Sequence, residues 1–230
     1  MRRCLFLISV FVFSHVASAS ISTATAVIGG PGSISSDGSA DPGLLSDGTL
    51  PGAHVVLSYD NASAFLTLDI MNDGPSGALT GLWLNVPDSV TGAAFALQGT
   101  TYRFLLFSID NLKADGFGRF DIYVGNSSKT SGGGDPDSIL VGFSETVSLA
   151  LSGVGLSSLT AQSFLHEISV VPPGEHRVLM AGRFKAGTSG GGAWISNNTA
   201  VPVPAPGALL LSAFSTALAG ITSVLRRKTR

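Results

Sequence analysis

From His54 onward, short apolar stretches alternate with clusters of turn-forming residues. In the stretch AFLTLDIMN, the apolar side chains of Leu66, Leu68 and Ile70 occupy every second position, with polar residues between them. Successive side chains of a β-strand point to opposite faces, so this pattern is typical of a strand with one buried face. Asp and Asn at 60–61 separate this stretch from HVVLSYD and predict a hairpin between the two strands.

The same pattern continues along the body of the chain. Further candidate strands, separated by Gly, Asp, Asn or Pro, are GLWLNV, TYRFLLFSI, GRFDIYVGN, SILVGFS, TVSLALSG, FLHEISVV, HRVLMAGRFKAG and GAWIS. About nine or ten short strands at intervals of about 8 to 15 residues are typical of an all-β fold. The best helical pattern, at 157–167, is short. We therefore predict a single antiparallel β-sandwich, of the jelly-roll or Ig-like kind, over residues 54–200.

Residues 20–53 have no sustained hydrophobic period and are dominated by Ser, Gly, Ala, Pro and Asp. Such a composition favours turns and irregular backbone over regular elements. We predict a flexible leader here, in which residues 25–28 are a candidate edge strand.

The first 19 residues, MRRCLFLISVFVFSHVASA, have a pattern of their own. Arg2 and Arg3 are followed by an apolar run and then by small residues that end with Ala17 and Ala19. This is the pattern of a secretory signal peptide, and the peptidase requires small side chains one and three positions before the cut. We predict cleavage by signal peptidase after Ala19 and export of the rest of the chain.

Residues 207–225 contain no charged side chain. As a helix they would extend about 28 Å, close to the thickness of the hydrocarbon core of a bilayer. Basic residues follow directly, and such residues beside a span are retained on the cytoplasmic side. The pattern predicts a transmembrane helix that holds the body outside the cytoplasm.

Prolines at positions 202, 204 and 206 precede the predicted span. Proline fixes φ and pushes the preceding residue into an extended conformation, which predicts an exposed strip that a protease can bind. The combination of VPVPA, a span and a basic C-terminus resembles the PEP-CTERM sorting signal, most closely its VPLPA-type variant. Val203 replaces the Glu of the commonest form, and Pro206 is an addition. The matching positions are Val201, Pro202, Pro204, Ala205, Arg226 and Arg227.

The resemblance covers residues 201–230 and implies a route through the cell envelope. In that family, a secreted precursor reaches the inner membrane of a bacterium, where an exosortase cleaves near the proline motif and passes the body to the cell surface. Exosortase systems commonly accompany exopolysaccharide and biofilm genes. The resemblance thus implies an exported surface or matrix protein whose partners are signal peptidase, an exosortase and, as a further candidate, exopolysaccharide. The alternative is a plain type I membrane protein that keeps its tail.

Charge is scarce and unevenly distributed along the chain. Charged residues make up 12% of it and Gly contributes 29 of 230 residues, which suits a β-protein with many turns. The 15 acidic residues lie between Asp37 and Glu175, whereas six of the 13 basic residues lie at the two ends. The part between the ends has seven basic and 15 acidic residues, a net charge of −8 that argues against nucleic acid as a partner. The single cysteine, Cys4, excludes an intramolecular disulfide.

Two neighbouring segments, DNLKADGFGRFD and GGGDPDS, contain aspartates of the kind that bind calcium. Calcium prefers several oxygen ligands from clustered carboxylates and from backbone carbonyls in glycine-containing loops. The spacing does not match an EF-hand, and turn-forming Asp and Gly explain the segments without a metal. Calcium is nevertheless the one cofactor that the sequence suggests. The candidate ligands are Asp110, Asp115, Asp121, Asp135 and Asp137.

Aromatic residues provide a candidate sugar-binding platform, because a ring face packs against the C–H face of a pyranose. The candidates are Trp83 and Trp194, with Tyr59, Tyr102 and Tyr123 in support. A core tryptophan of a β-sandwich is the alternative interpretation. A carbohydrate-binding module that uses exposed aromatics is therefore the second hypothesis for the function.

No local pattern indicates catalysis. His166, Glu167 and His176 occur in HEISVVPPGEH, which is not the HExxH pattern of a zinc enzyme, and the serines lack a GxSxG context. Paired carboxylates for glycoside hydrolysis are defined by their separation in space, which a sequence does not give. We predict a non-enzymatic protein.

Overall fold

A computed structural model describes residues 20–29, 34–35, 51–128, 138–171, 176–186, 191–197 and 200–201. These residues form mainly β-strands, with one turn of α-helix, α1 (Ala161–Phe164), after a 3-10 turn at Leu156–Ser158. In this part of the chain, no helix has the length and apolar character needed to cross a membrane. The predicted signal peptide at 1–19 and the predicted span at 207–225 lie outside it.

The strands form two antiparallel sheets. Sheet A has the order β12-β1-β3-β4-β9-β6, and sheet B has the order β2-β11-β10-β5-β8-β7. In chain order, the strands are β1 (Ile21–Gly29), β2 (Ile34–Ser35), β3 (Gly52–Asp60), β4 (Phe65–Met71), β5 (Ala78–Leu84), β6 (Val90–Leu97), β7 (Phe104–Ala114), β8 (Gly118–Gly125), β9 (Ser144–Gly153), β10 (Met180–Ala186), β11 (Gly191–Asn197) and β12 (Ala200–Val201).

The two sheets pack against each other around one hydrophobic core. The predicted hairpin is confirmed as β3 and β4, in which Leu66, Leu68 and Ile70 are fully buried and Asp69 is exposed. These side chains share the core with inward-facing residues of sheet B such as Leu82. Removing these apolar faces from water is the main force that holds two sheets together. The prediction of an all-β fold with antiparallel sheets is confirmed.

Sheet B is apolar on both faces. All seven residues of β5 are buried, although only Leu79, Leu82 and Leu84 belong to the main core. On the other face, Trp83 and Tyr123 pack with their ring centroids 4.6 Å apart in a second, smaller cluster that includes Phe117 and Phe120. Strands with two covered faces have nearly continuous apolar sequences. This explains why GLWLNV and GRFDIYVGN lack the alternation of β4.

Two predicted strands are wrong. SILVGFS makes one isolated bridge, between Ile139 and Leu79, and then turns because Gly142 adopts a φ of 81° and donates to the carbonyl of Asn72 at 2.7 Å. FLHEISVV begins at the end of α1 and continues as irregular chain with a single bridge at Val170. A short apolar run is compatible with several backbone conformations, so its tertiary contacts decide which one forms.

The strand expected at residues 25–28 is present, but it is longer than predicted and lies between two other strands, so the prediction of a flexible leader is wrong for residues 21–29. β1 is a nine-residue strand that pairs with β3 along its length and with β12 on the other side. Its buried side chains include Ala24 and Ala26, which are small and give little hydrophobic signal in the sequence. For the same reason β6, with the sequence VTGAAFAL, is absent from the predicted series. The segment 36–50 of the leader lies outside the described residues.

Candidate binding pocket

A β-bulge in the β7–β8 pair is organised by the carboxylate of Asp121. The register between these strands shifts, so that residues 108–111 bulge outward opposite Asp121. One carboxylate oxygen accepts a hydrogen bond from the backbone N–H of Asp110 at 2.7 Å, and the other accepts one from Val86 at 3.0 Å. Bulges redirect the side chains of a strand, and Asp121, opposite this one, is a buried carboxylate, only 5% exposed. Asp121 thereby joins the bulge to the segment that follows β5.

Asn85, directly after β5, completes this arrangement. Its Oδ1 accepts a hydrogen bond from the backbone N–H of Asp121 at 3.1 Å, and the residue is only 3% exposed. Its Nδ2 donates to no acceptor among the described residues. A buried donor without an acceptor costs free energy. Nδ2 of Asn85 is therefore a buried donor that has no acceptor among the described residues.

A cavity of about 310 Å³, the acidic pocket, opens beside Asp121 and Asn85. Among the described residues, none of those that line it is basic. Its carboxyl groups are those of Asp88, Asp110, Asp121 and Glu167. The other lining residues are Asn85, Val86, Val90, Thr91, Ile109, Ile168 and Val170.

The ionised forms of two of these carboxyl groups are disfavoured. Burial raises the pKa of Asp121, although hydrogen bonds from the N–H groups of Asp110 and Val86 act in the opposite direction. The pKa of Glu167 is raised first by partial burial and then by the charges of Asp88 and Asp121. Carboxyl groups whose pKa values are raised by burial and by like charges in a cleft are candidates for a functional site.

Three of the predicted calcium ligands are described, and they do not form one site. Asp110 and Asp121 both line the acidic pocket, but Asp115 lies in the turn between β7 and β8, with its carboxylate 3.4 Å from Nζ of Lys113. Nowhere in the described ranges do three His, Cys, Asp or Glu side chains come close enough to hold a metal ion. The remaining candidates, Asp135 and Asp137, lie outside those ranges.

The predicted aromatic platform is wrong for Trp83 and for the three tyrosines. Trp83 is fully buried because sheet B is covered on the face where it packs against Tyr123. Tyr59 and Tyr102 are fully buried in the main core. The backbone of Trp194 lies in β11, where its register partner in β10 is Arg183.

The histidine-containing segment separates in space. His166 is exposed after α1, and the backbone N–H of His176 donates to the carbonyl of Gly116 at 3.0 Å. Only Glu167 of this segment lines the acidic pocket. Sequence reasoning missed Asn85 and Asp88, for which the available signal was the polar residues that directly follow an apolar strand.

Of the predicted processing residues, Val201 lies in β12. The others lie outside the described residues and comprise Ala17, Ala19, Pro202, Pro204, Ala205, Arg226 and Arg227.

Comparison with known proteins identified no relative of this chain. No protein-family model matches the chain, and neither a curated protein nor a solved structure matches it. The fold and the pocket therefore define the class by themselves: an all-β protein of two antiparallel sheets with an acidic cavity at a strand bulge.

Proposed function

We propose that the chain is a non-enzymatic bacterial surface or extracellular-matrix protein, exported by the secretory pathway and processed by an exosortase. The observation that supports this proposal is that the described strands extend from just after the predicted cut at Ala19 to the start of the predicted proline motif. β1 begins at Ile21, directly after the cut that we predict at Ala19. β12 includes Val201, the first residue of the predicted proline motif, and the residues after it lie outside the described part of the chain.

The described residues next to the two predicted signals belong to neighbouring strands of sheet A. β12 pairs with β1, and the register brings Val201 opposite Thr25. A cut after Ala19 would leave the whole of β1 in the body, and Val201, the first residue of the predicted motif, lies in the edge strand of sheet A. Removal of both signals would therefore release the strands as one complete unit.

The character of the body supports a structural role in the envelope or matrix. Its scarce charge and high glycine content suit a β-protein built of many turns. The chain crosses between the sheets, and β9 lies between β4 and β6, as in sandwiches of the jelly-roll or Ig-like kind that we propose here. Exopolysaccharide is the proposed partner outside the cell.

Intact-mass spectrometry of the protein recovered from cells tests both cuts at once. We expect a mass that lacks residues 1–19 at one end and residues 207–225 at the other. A mature protein that retains 207–225 would overturn the sorting proposal in favour of a type I membrane protein with its tail intact. A mass that retains residues 1–19 would contradict export by signal peptidase.

Substitutions in the tail test which residues direct the processing. Pro202→Ala combined with Pro204→Ala removes two prolines of the predicted extended motif. Arg226→Ala combined with Arg227→Ala removes two of the basic residues that follow the predicted span. We expect each pair to leave an uncut precursor in the membrane fraction on an immunoblot. Lys113→Ala, which removes an exposed basic side chain of the body, is the control and should be processed normally. Normal processing of both tail variants would contradict the proposal.

A further inference from the structure

We propose that the edge of sheet B formed by residues 104–108 of β7, the β7 edge, is a self-association site. A second copy of the same chain binds there, and the two β7 strands pair antiparallel. The proposal goes beyond the sorting route and does not depend on it, because β7 belongs to the body.

The backbone of the β7 edge has room for another strand. In the described part of the chain, β7 is the last strand of sheet B, and its regular part pairs with β8 from Phe104 to Phe107. Alternate residues of an antiparallel strand direct their N–H and C=O groups to one neighbour, so the others direct theirs to the opposite side. Among the described residues, no hydrogen bond outside the pairing with β8 involves the backbone of 104–108. Unpaired donors and acceptors of an edge strand bind a further strand.

The other sheet edges in the described part of the chain have features that discourage such pairing. β12 and β2 have two residues each, and β6 is interrupted by register shifts near both of its ends. Short strands, bulges, prolines and charges are the common ways of blocking an edge. The segment FLLFSI at 104–109 has no charge, Pro or Gly, and the bulge of β7 begins only after Phe107. β7 therefore retains an edge that can pair.

The side chains of the β7 edge leave apolar surface in water on both faces of sheet B. Leu105 and Phe107 pack against the main core and Leu106 packs against the second cluster, but all three are only partly buried. Phe104 and Ile109 are 39% and 51% exposed. A strand added at this edge would cover part of this surface, and the burial of apolar surface drives association.

The segment is self-complementary in an antiparallel pair centred on Leu106. A two-fold axis places Leu106 opposite its own copy and Leu105 opposite Phe107 of the second copy, and it repeats the latter contact on the other side. Apolar cross-strand pairs of this kind stabilise a sheet. A pair centred on Leu105 would instead place Arg103 opposite Phe107, and a pair centred on Phe107 would include the bulge. The centre at Leu106 therefore fits best.

Charge complementarity favours a second copy as the occupant of the β7 edge. The uncharged segment lies between Arg103 and Asp110, which are both exposed. In the pair centred on Leu106, Arg103 of one copy would lie opposite Ile109 of the other and beside its Asp110. The two-fold axis repeats this contact, so each end of the pair brings opposite charges together. Exposed ion pairs contribute little to affinity, but they select the register.

Position-specific disulfide formation tests the pairing in the full chain in mild detergent. Cys4 is the single cysteine, so Cys4→Ser gives a background without thiols. In this background, Leu106→Cys should form a covalent dimer on mild oxidation, because the two Cα atoms would be about 5 Å apart. Ile109→Cys is more exposed, but its two copies would be about 20 Å apart. Its dimer should form at least about tenfold more slowly.

A second set of variants tests the same register with Leu106 unchanged. Phe104 of one copy would lie opposite Ser108 of the other, so Phe104→Cys combined with Ser108→Cys should give a covalent dimer. Each single variant should give at least about tenfold less dimer, since its two copies would be about 14 Å apart. Circular dichroism like that of the wild type establishes that each variant is folded.

The disulfide yields can overturn the proposal in two ways. A parallel pair or random collision would cross-link every single variant, so equal yields from Leu106→Cys, Ile109→Cys and Phe104→Cys would contradict the antiparallel register. Absence of dimer from both Leu106→Cys and the double variant would show that the β7 edge does not bind a second copy.

Hydrogen exchange at two protein concentrations tests whether the backbone takes part. Between about 5 μM and about 500 μM, the amides of 104–108 that face the free side should exchange at least about tenfold more slowly, because they gain acceptors. The amides of β3, which has a neighbouring strand on each side, should not change. Exchange at 104–108 that does not depend on concentration would overturn the proposal.

Reversal of one charge tests the contact between the two ends of the pair. Arg103→Glu would place two carboxylates together at each end and should weaken association about tenfold, measured as the concentration that gives half-maximal protection of 104–108. Arg177→Glu makes the same change of charge at an exposed position outside β7, and it should stay within about twofold of the wild type. Equal effects of the two variants would contradict the contact between Arg103 and Asp110.

Discussion

The carboxylate of Asp121 lies between two backbone N–H groups that belong to different segments, those of Asp110 in the bulge and Val86 after β5. Its own N–H is bonded to Asn85. Through its side chain and its backbone, this one residue therefore fixes the geometry of three positions that line the acidic pocket. The same contacts that shape the site also stabilise the fold, so a change at Asp121 acts on both.

Asp121→Asn should destabilise the protein. The substitution replaces one acceptor oxygen with an NH₂ group, which then faces a backbone N–H. We expect the free energy of unfolding to fall by about 2 kcal/mol, as for the loss of a hydrogen bond to a charged group. Urea denaturation measures this change, and Asp115→Asn should alter it by less than about 0.5 kcal/mol. Equal stability of the two variants would show that the carboxylate does not hold the bulge.

Glu167 should make stability depend on pH. Its pKa in the folded state lies above the ordinary value of 4.5, so ionisation is less favourable in the folded than in the unfolded chain. Its contribution to stability is therefore full below that value and is lost as the pH rises through the folded-state pKa. Glu167→Gln should thus raise the melting temperature relative to the wild type at about pH 7 and have no such effect below about pH 4. A lower melting temperature of the variant at neutral pH would contradict this sign.

At the residue scale, the sequence indicated only part of the pocket. Asp110 and Asp121 stand out because they lie close together in an Asp-rich and Gly-rich segment, and the structure does bring them together. Asn85, Asp88 and Glu167 join them from distant positions in the chain. Their proximity results from the pairing of β5 with β8 and from the path of the chain after α1, neither of which has a local spacing pattern.

At the scale of elements, the connection from β6 to β7 carries the chain from sheet A to sheet B. Oε1 of Glu145, in β9, accepts hydrogen bonds from the backbone N–H groups of Thr101 at 2.6 Å and Tyr102 at 3.2 Å. The hydroxyl of Tyr102 donates to the carbonyl of Leu79, in β5, at 3.2 Å. Thus β9 of sheet A and β5 of sheet B both form hydrogen bonds with the short connection between β6 and β7.

Glu145→Ala should weaken this connection strongly. It leaves two backbone N–H groups without their acceptor, and we expect a loss of about 2–3 kcal/mol in the free energy of unfolding. Tyr102→Phe removes one neutral hydrogen bond and should cost about 1 kcal/mol. In Glu145→Ala, hydrogen exchange should accelerate first at residues 98–103. Asp69→Ala, which changes an exposed carboxylate of β4, is the control. A loss in Asp69→Ala as large as in Glu145→Ala would contradict the special role of Glu145.

Elements whose buried residues are large could be predicted from the sequence. β3 and β4 bury branched side chains at alternate positions, and their boundaries and pairing follow from that alternation. The residues that β1 and β6 bury or cover are small. Alternate positions of these strands therefore differ little in hydrophobicity, although the alternation itself is present. The segment 138–144 is the opposite case. It is apolar and therefore resembles a strand in sequence, but its backbone turns at Gly142, which has a positive φ.

At the scale of the whole molecule, the described strands begin and end beside the two predicted signals. Deletion of residues 202–230 leaves every described strand intact, and we expect its melting temperature to lie within about 2 °C of that of the intact protein. Deletion of 21–29 removes the strand that joins β12 to β3 and should abolish cooperative thermal unfolding. Circular dichroism distinguishes these outcomes. A body that fails to fold without 202–230 would show that the tail contributes to the fold itself.

The pairing of β12 with β1 also has a mechanical consequence. A pull on the C-terminal end of the body, such as drag on a tethered protein, first loads the pairing of a two-residue strand with β1. Its few hydrogen bonds lie at the sheet edge and would rupture before those of the long strand pairs. The four residues after Asn197 would then extend by at most about 14 Å, while β11 stays paired in sheet B. The attachment point would thus lengthen under force before either sheet unfolds.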